Sequence, residues 1–178
     1  MSEAPLIVET LGSVTRLTMN RPKVMNALNL AMLESFSAHL PRLAADDACR
    51  VLILTGSGTA FCAGADLKQA LGSNPVPGEP DFLDCAREVL QLLTAFPKPV
   101  IAALNGLTMA GGLELAMCAD VLVAAESARI GDAHANFGVY PGGGGAAVLP
   151  RVVPLNTALY LLFTGTTLSA AEFTALGL

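Results

Sequence analysis

Metal ligands are in short supply in this chain. Its 178 residues hold two histidines, His39 and His134, and four cysteines, Cys49, Cys62, Cys85 and Cys118. None of the cysteines has a C-x-x-C or other ligand spacing, which argues against a structural metal site. The bland alternative is free, mostly buried thiols in a reducing, cytoplasmic setting. Charge is scarce too. Only 14% of residues are charged, the net charge is −5 and no Lys/Arg cluster occurs, so nucleic acid is not the expected partner. No apolar run reaches the length of a membrane span, and Asp120 interrupts the longest candidate. The first residues, MSEAPLIVE, lack the basic region and apolar core of a secretory signal. The expectation is a soluble protein.

What is abundant is apolar surface. Hydrophobic residues make up 53%, above the usual share, and 178 residues suffice for one domain with a sizeable core. That balance calls for burial on more sides than a monomer offers, hence oligomerisation.

Strand and helix patterns alternate, which places the chain in the α/β class. Residues 6–10 and 14–19 alternate around Gly12-Ser13 and predict a β-hairpin. A loop over 20–28 leads to Asn29, the N-cap of an amphipathic helix over 30–44 that carries His39. A buried strand over 51–55 follows, then a helix starting at Asp66, its cap. The stretch 72–80 reads as loop. Asp81 caps a helix to about Phe96, stopped by Pro97 and Pro99. Strands are predicted at 100–104, 121–124 and 127–130. A largely buried helix runs from Pro154 to Thr164, and Ser169 with Glu172 forms a capping box for the last one. No fixed-period repeat is evident.

Two glycine patterns imitate nucleotide sites. Gly56-Ser-Gly58 fails as a dinucleotide fingerprint because Phe61 holds the third glycine position and Glu79 lies in a Pro-rich loop. The run Gly142–Gly145 follows Pro141, with no acidic residue at the needed distance. It reads as a tight loop that allows close packing.

The stretch NGLTMAGGLELAMCAD at 105–120 is the one that promises chemistry. Gly111 and Gly112 let a substrate approach the main chain. If a helix starts there, its first N–H groups are unpaired and carry partial positive charge, which suits an oxygen that becomes negative during a reaction. Glu114 falls in the first turn beside that oxygen and is able to move a proton. In FCAGADLK at 61–68, Gly64 permits an unusual turn, and the N–H of Ala65 becomes a second outward donor.

Taken together, NRPKVMNAL at 20–28, AFCAGADL at 60–67, PKPVIAALNG at 97–106, AGGLELA at 110–116, CAD at 118–120, FGVYPG at 137–142 and LFTGT at 162–166 resemble the crotonase superfamily, the enoyl-CoA hydratase/isomerase group. These motifs occur in family order over nearly the whole chain. The resemblance implies a crotonase-like ββα superhelix over residues 1–178, assembled as a homo-trimer or a hexamer. It also implies a C-terminal helical region that has no counterpart in these 178 residues, so the protein is expected to be longer.

The substrate it implies is an acyl-CoA thioester, with no separate cofactor and no metal. An enolate-like intermediate would be held by two main-chain N–H groups, which fall on Ala65 and Gly111, the pair picked from the residues alone. CoA contacts carry over to Lys23, Val24 and Met25, and to Ala63, Asp66, Leu67 and Lys68, with Lys23 and Lys68 facing phosphates. Family hydratases use two glutamates around a water. Glu114 matches the first, and His134 occupies the second position. Either His134 takes over part of the acid/base work, for which neutral imidazole is competent, or Glu114 handles the water alone and His134 lines the acyl pocket or hydrogen-bonds a substrate group. Asp132, nearby, is available to orient His134 or to replace it.

The reaction first expected is reversible addition of water to a 2-enoyl-CoA, with Glu114 as principal acid/base and His134 assisting. Alternatives on the same scaffold are isomerisation, decarboxylation or hydrolysis of an acyl-CoA. A non-catalytic acyl-CoA-binding subunit is the reading from another class.

Overall fold

The computed structural model describes residues 4–72 and 81–178. Two strands open the chain, β1 (Leu6–Leu11) and β2 (Val14–Met19). They pair antiparallel about Gly12, whose φ of +65° suits the residue without a Cβ. The predicted hairpin is present, one residue longer in its first strand.

Met19 leads into a 3-10 turn, Pro22–Val24, and then into α1 (Leu30–Ala45). Asn29 caps α1 by accepting from the Met32 N–H at 3.1 Å, as its residue type predicts. The helix buries Met32, Leu33, Phe36 and Leu40 along one face, each contributing roughly 1.5–3 kcal/mol by leaving water. His39 is partly exposed on the other side, its Nδ1 against the Ser35 carbonyl.

From here strands alternate between two sheets. β3 (Val51–Gly56) is followed by β4 (Ala60–Cys62), α2 (Leu67–Gly72) and α3 (Phe82–Thr94). β5 (Val100–Leu104) is followed by β6 (Leu107–Met109) and α4 (Gly111–Ala116). β7 (Val121–Ala124) is followed by β8 (Arg129–Gly131), a 3-10 turn His134–Phe137 and α5 (Gly145–Val152). The chain ends with α6 (Leu155–Thr164), β9 (Thr167–Ser169) and α7 (Ala170–Ala175). One sheet has the order β1-β2-β3-β5-β7, the other β4-β6-β8-β9.

The recurring unit is therefore strand, strand, helix. Its starts at Val51, Val100 and Val121 are unevenly spaced, which is why no fixed period shows in the sequence. Asp81 and Ser169 both close capping boxes, with Asp84 and Glu172. Asp120, which interrupts the apolar run, accepts the Val100 N–H at 2.8 Å while its own N–H donates to the Val100 carbonyl. The motif acid thus fastens the end of one unit to the first residue of β5.

Several expectations need correction. The strand expected over 127–130 lies at Arg129–Gly131, because Glu126 and Ser127 form a turn. The tight loop expected over Gly142–Gly145 ends one residue early, because Gly145 already opens α5, and a 3-10 turn, His134–Phe137, precedes it. The first helix residue of α6 is Leu155, and the helix is not largely buried. Ala158 and Leu161 are inside, but Leu155, Tyr160 and Phe163 face out, Phe163 at 76% exposure. Asp66 stands at the start of α2, yet its carboxylate pairs with the Arg21 guanidinium at 3.0 Å. The loop expected over 72–80 lies, from residue 73 on, outside the described residues, and Gly72 itself closes α2. Among the described residues no helix is long and apolar enough to cross a membrane, and no cluster of metal-ligating side chains occurs.

Candidate active site

Three segments leave the carboxyl ends of adjacent parallel strands and meet. Residues 63–66 follow β4, Ala110 and Gly111 follow β6, and Asp132 to His134 follow β8. Such ends are where open α/β sheets gather ligands.

The first segment is fixed from below by Asn26. This wholly buried side chain donates to the carbonyls of Ser57 (2.9 Å) and Ala60 (2.7 Å) and accepts from the Arg21 N–H. The loop holding Asn26 then runs alongside residues 63–66. Ala63 N–H donates to the Met25 carbonyl, Leu28 N–H to Gly64, and Asp66 N–H to Leu28. Bonding on that edge leaves the Ala65 N–H directed away from it.

Gly64 turns the chain at φ +106°, and a Cβ there would lie 2.8 Å from the Ala110 Cβ and 3.3 Å from the Gly111 nitrogen. Only glycine allows this approach. Ala110 is itself at φ +50°, a conformation costly for a residue with a Cβ, and its N–H is held by the Gly131 carbonyl. The outcome is a close pair of amides. A Cβ on Gly111 would lie 3.5 Å from the Ala65 nitrogen; with about 2.5 Å between an amide nitrogen and its own Cβ, the two nitrogens are at most about 6 Å apart. One oxygen at hydrogen-bond distance can therefore reach both. Among the described residues neither N–H has a protein acceptor.

Glu114, one turn into α4, is not a surface residue but only 6% exposed. Its Oε1 accepts the Gly145 N–H at 2.8 Å. Its Oε2 is 3.9 Å from Nε2 of His134. Burial pushes the Glu114 carboxyl above its ordinary value; the Gly145 hydrogen bond and His134 pull the other way, and the Asp132 charge adds to the rise. For His134, burial disfavours the cation, but the Asp132 hydrogen bond and the charges of Asp132 and Glu114 outweigh it, so the imidazole also titrates above its ordinary value. Nδ1 of His134 lies 2.9 Å from Oδ2 of Asp132.

The glycine run closes this pocket. A Cβ on Gly143 would collide with Oε2 of Glu114, and one on Gly145 would lie 2.8 Å from Oδ2 of Asp132. The close packing read from the sequence is thus packing against two carboxylates. The Gly145 bond to Glu114 has no signal in the sequence beyond the Gly-rich loop itself. Of the CoA candidates, Lys23, Val24, Met25 and Lys68 are exposed and Ala63, Asp66 and Leu67 half-buried; the Ala63 N–H bond to the Met25 carbonyl joins the two segments at that point. Asp66, tied to Arg21, is a brace within that surface.

The family described as enoyl-CoA hydratase/isomerase matches residues 9–178. The chain belongs to this family. It is 41% identical to a probable enoyl-CoA hydratase of Rhizobium meliloti (strain 1021) over 100% of its own length and 68% of the relative's. It is 38% identical to the crotonyl-CoA hydratase of Syntrophomonas wolfei, with the same coverage. Among solved structures, an enoyl-CoA hydratase from Bacillus anthracis superposes with a TM-score of 0.89 at 36% identity, covering 97% of this chain and 67% of that one. The fold is therefore crotonase-like α/β, and the chain spans about two thirds of the length of these relatives.

Proposed function

We propose that this family member is an acyl-CoA enzyme that adds water reversibly across a 2-enoyl-CoA. The observation that carries the reading is the convergence of three things: two free amides within reach of one oxygen, a buried carboxyl, and an imidazole 3.9 Å from it. Water attacks the β-carbon, charge accumulates on the thioester oxygen, and the N–H groups of Ala65 and Gly111 stabilise it by about 3 kcal/mol each. Glu114 takes a proton from the water as its oxygen bonds to the β-carbon, and His134 assists by giving one from Nε2 to the α-carbon. In this reading His134 does the work a second glutamate does in family hydratases. The relatives named as hydratases support the same class.

The CoA portion crosses Lys23–Met25 and Ala63–Lys68, with the two lysines at its phosphates. No separate cofactor is invoked. The full protein is proposed to be a homo-trimer or hexamer, since Leu155, Tyr160 and Phe163 on α6, together with Phe137 and Tyr140, leave large hydrophobic side chains uncovered.

The test is the absorbance of crotonyl-CoA at its enoyl-thioester band. Loss of that band on adding the full-length protein supports hydration. Tight binding with no turnover would assign a binding subunit instead, and release of free CoA a hydrolase.

A further inference from the structure

Between Asp132 and His134 lies one residue, Ala133, in the left-handed conformation at φ +60°. That single reversed residue folds the chain back, so that the side chain of Asp132 meets the imidazole two positions on. Asp132 is fully buried at 0% exposure. Its Oδ1 accepts the main-chain N–H of His134 at 3.2 Å, and its Oδ2 lies 2.9 Å from Nδ1. Gly145 closes the other side of the carboxylate, where a Cβ would lie 2.8 Å from Oδ2.

We propose that Asp132 is a positioning residue that holds His134 as the Nδ1–H tautomer, so that Nε2 is the nitrogen that exchanges protons beside Glu114. The inference rests on the reading of Glu114 and His134 as the acid/base pair. A carboxylate has only acceptors, so the Nδ1 beside it must carry the proton. The other tautomer would set a nitrogen lone pair against a buried, negatively charged oxygen, which the low dielectric of the site makes costly. With Nδ1 committed, the neutral ring offers a lone pair at Nε2 and the charged ring offers an N–H there. Both states point at the 3.9 Å gap to Oε2 of Glu114. The ring therefore gains or loses its proton without rotating. Asp132 touches no reacting atom and acts only through His134.

The test has a spectroscopic arm and a kinetic arm, both on the full-length protein. Histidine labelled with 15N reports which ring nitrogen carries hydrogen, and His134→Ala assigns the signal. Neutral His134 is expected to show a protonated Nδ1 and a bare Nε2, and Asp132→Ala is expected to lose that preference. A neutral wild-type ring protonated on Nε2 overturns the proposal. This arm needs no substrate, so it stands apart from any failure of the hydratase reading.

In the kinetic arm, Asp132→Asn keeps the shape and removes the charge. A fall in kcat of about tenfold, no larger than that of His134→Ala, with KM within about twofold, is expected. Removing the charge disfavours the imidazolium and eases ionisation of Glu114, so both limbs of the pH profile should move towards acid. A variant with unmoved limbs and unchanged kcat would overturn the proposal.

Discussion

Nε2 of His134 lies 3.9 Å from Oε2 of Glu114, a gap too long for a direct hydrogen bond and short enough for both groups to contact one small molecule. Within the proposed reaction that molecule is water. Glu114→Gln keeps the shape of the side chain and removes its proton chemistry. It is expected to lower kcat by about a thousandfold or more with little change in KM, measured on crotonyl-CoA. Full activity would refute the assignment. His134→Ala should slow turnover by about ten- to a hundredfold; an unchanged rate would leave His134 as pocket lining.

The pH profile of kcat/KM should be a bell whose limbs belong to the pair rather than to either residue. The Glu114 carboxyl titrates above its ordinary value through burial, so as pH falls the base is lost earlier than an exposed carboxylate would be. The His134 imidazole also titrates above its ordinary value. As pH rises the proton on Nε2 is kept longer, and the alkaline limb lies above that of a free imidazole. A flat profile across both limbs would contradict a paired base and acid.

Two glycine substitutions separate chemistry from folding. In Gly143→Ala the new Cβ meets the carboxylate end of Glu114, a side chain able to swing away. Stability should change by about 1 kcal/mol or less while kcat collapses. In Gly112→Ala the Cβ meets the main-chain carbonyl of Cys62, which cannot move without β4. A loss of about 1–3 kcal/mol is expected, or roughly 2–12 °C in Tm. Thermal melts and steady-state rates on the two variants check the contrast.

Cys62 is wholly buried, and burial pushes its thiol up to about 12. Because the thiolate is the nucleophile, iodoacetamide at pH 8 should leave Cys62 unmodified until the chain unfolds. Labelling of the native protein at Cys62, read by mass spectrometry, would contradict the burial.

Much of this site was legible because it is made of local signals. Gly64, Gly111 and Glu114 each carry a reason within a few residues, and caps such as Asn29, Asp81 and Ser169 announce themselves by type and spacing. What escaped depends on strands folding beside one another. The three-residue strands β4, β6 and β8 are too short to show alternation, yet they bring residues 65, 111 and 132 together. Asn26 looks like an ordinary loop residue until its amide is seen bridging Ser57 and Ala60. The apolar residues of α6 predict burial, but Phe163 and Leu155 face away from this chain's core.

The claim on which the rest depends is that the N–H groups of Ala65 and Gly111 hold one thioester oxygen. Infrared difference spectroscopy of an enoyl-CoA labelled with 13C at the thioester carbonyl, bound to Glu114→Gln, reads this directly. Two donors on the oxygen should weaken the bond and move its stretch to lower wavenumber than in water. A carbonyl band in the complex at or above its position in water would contradict the account.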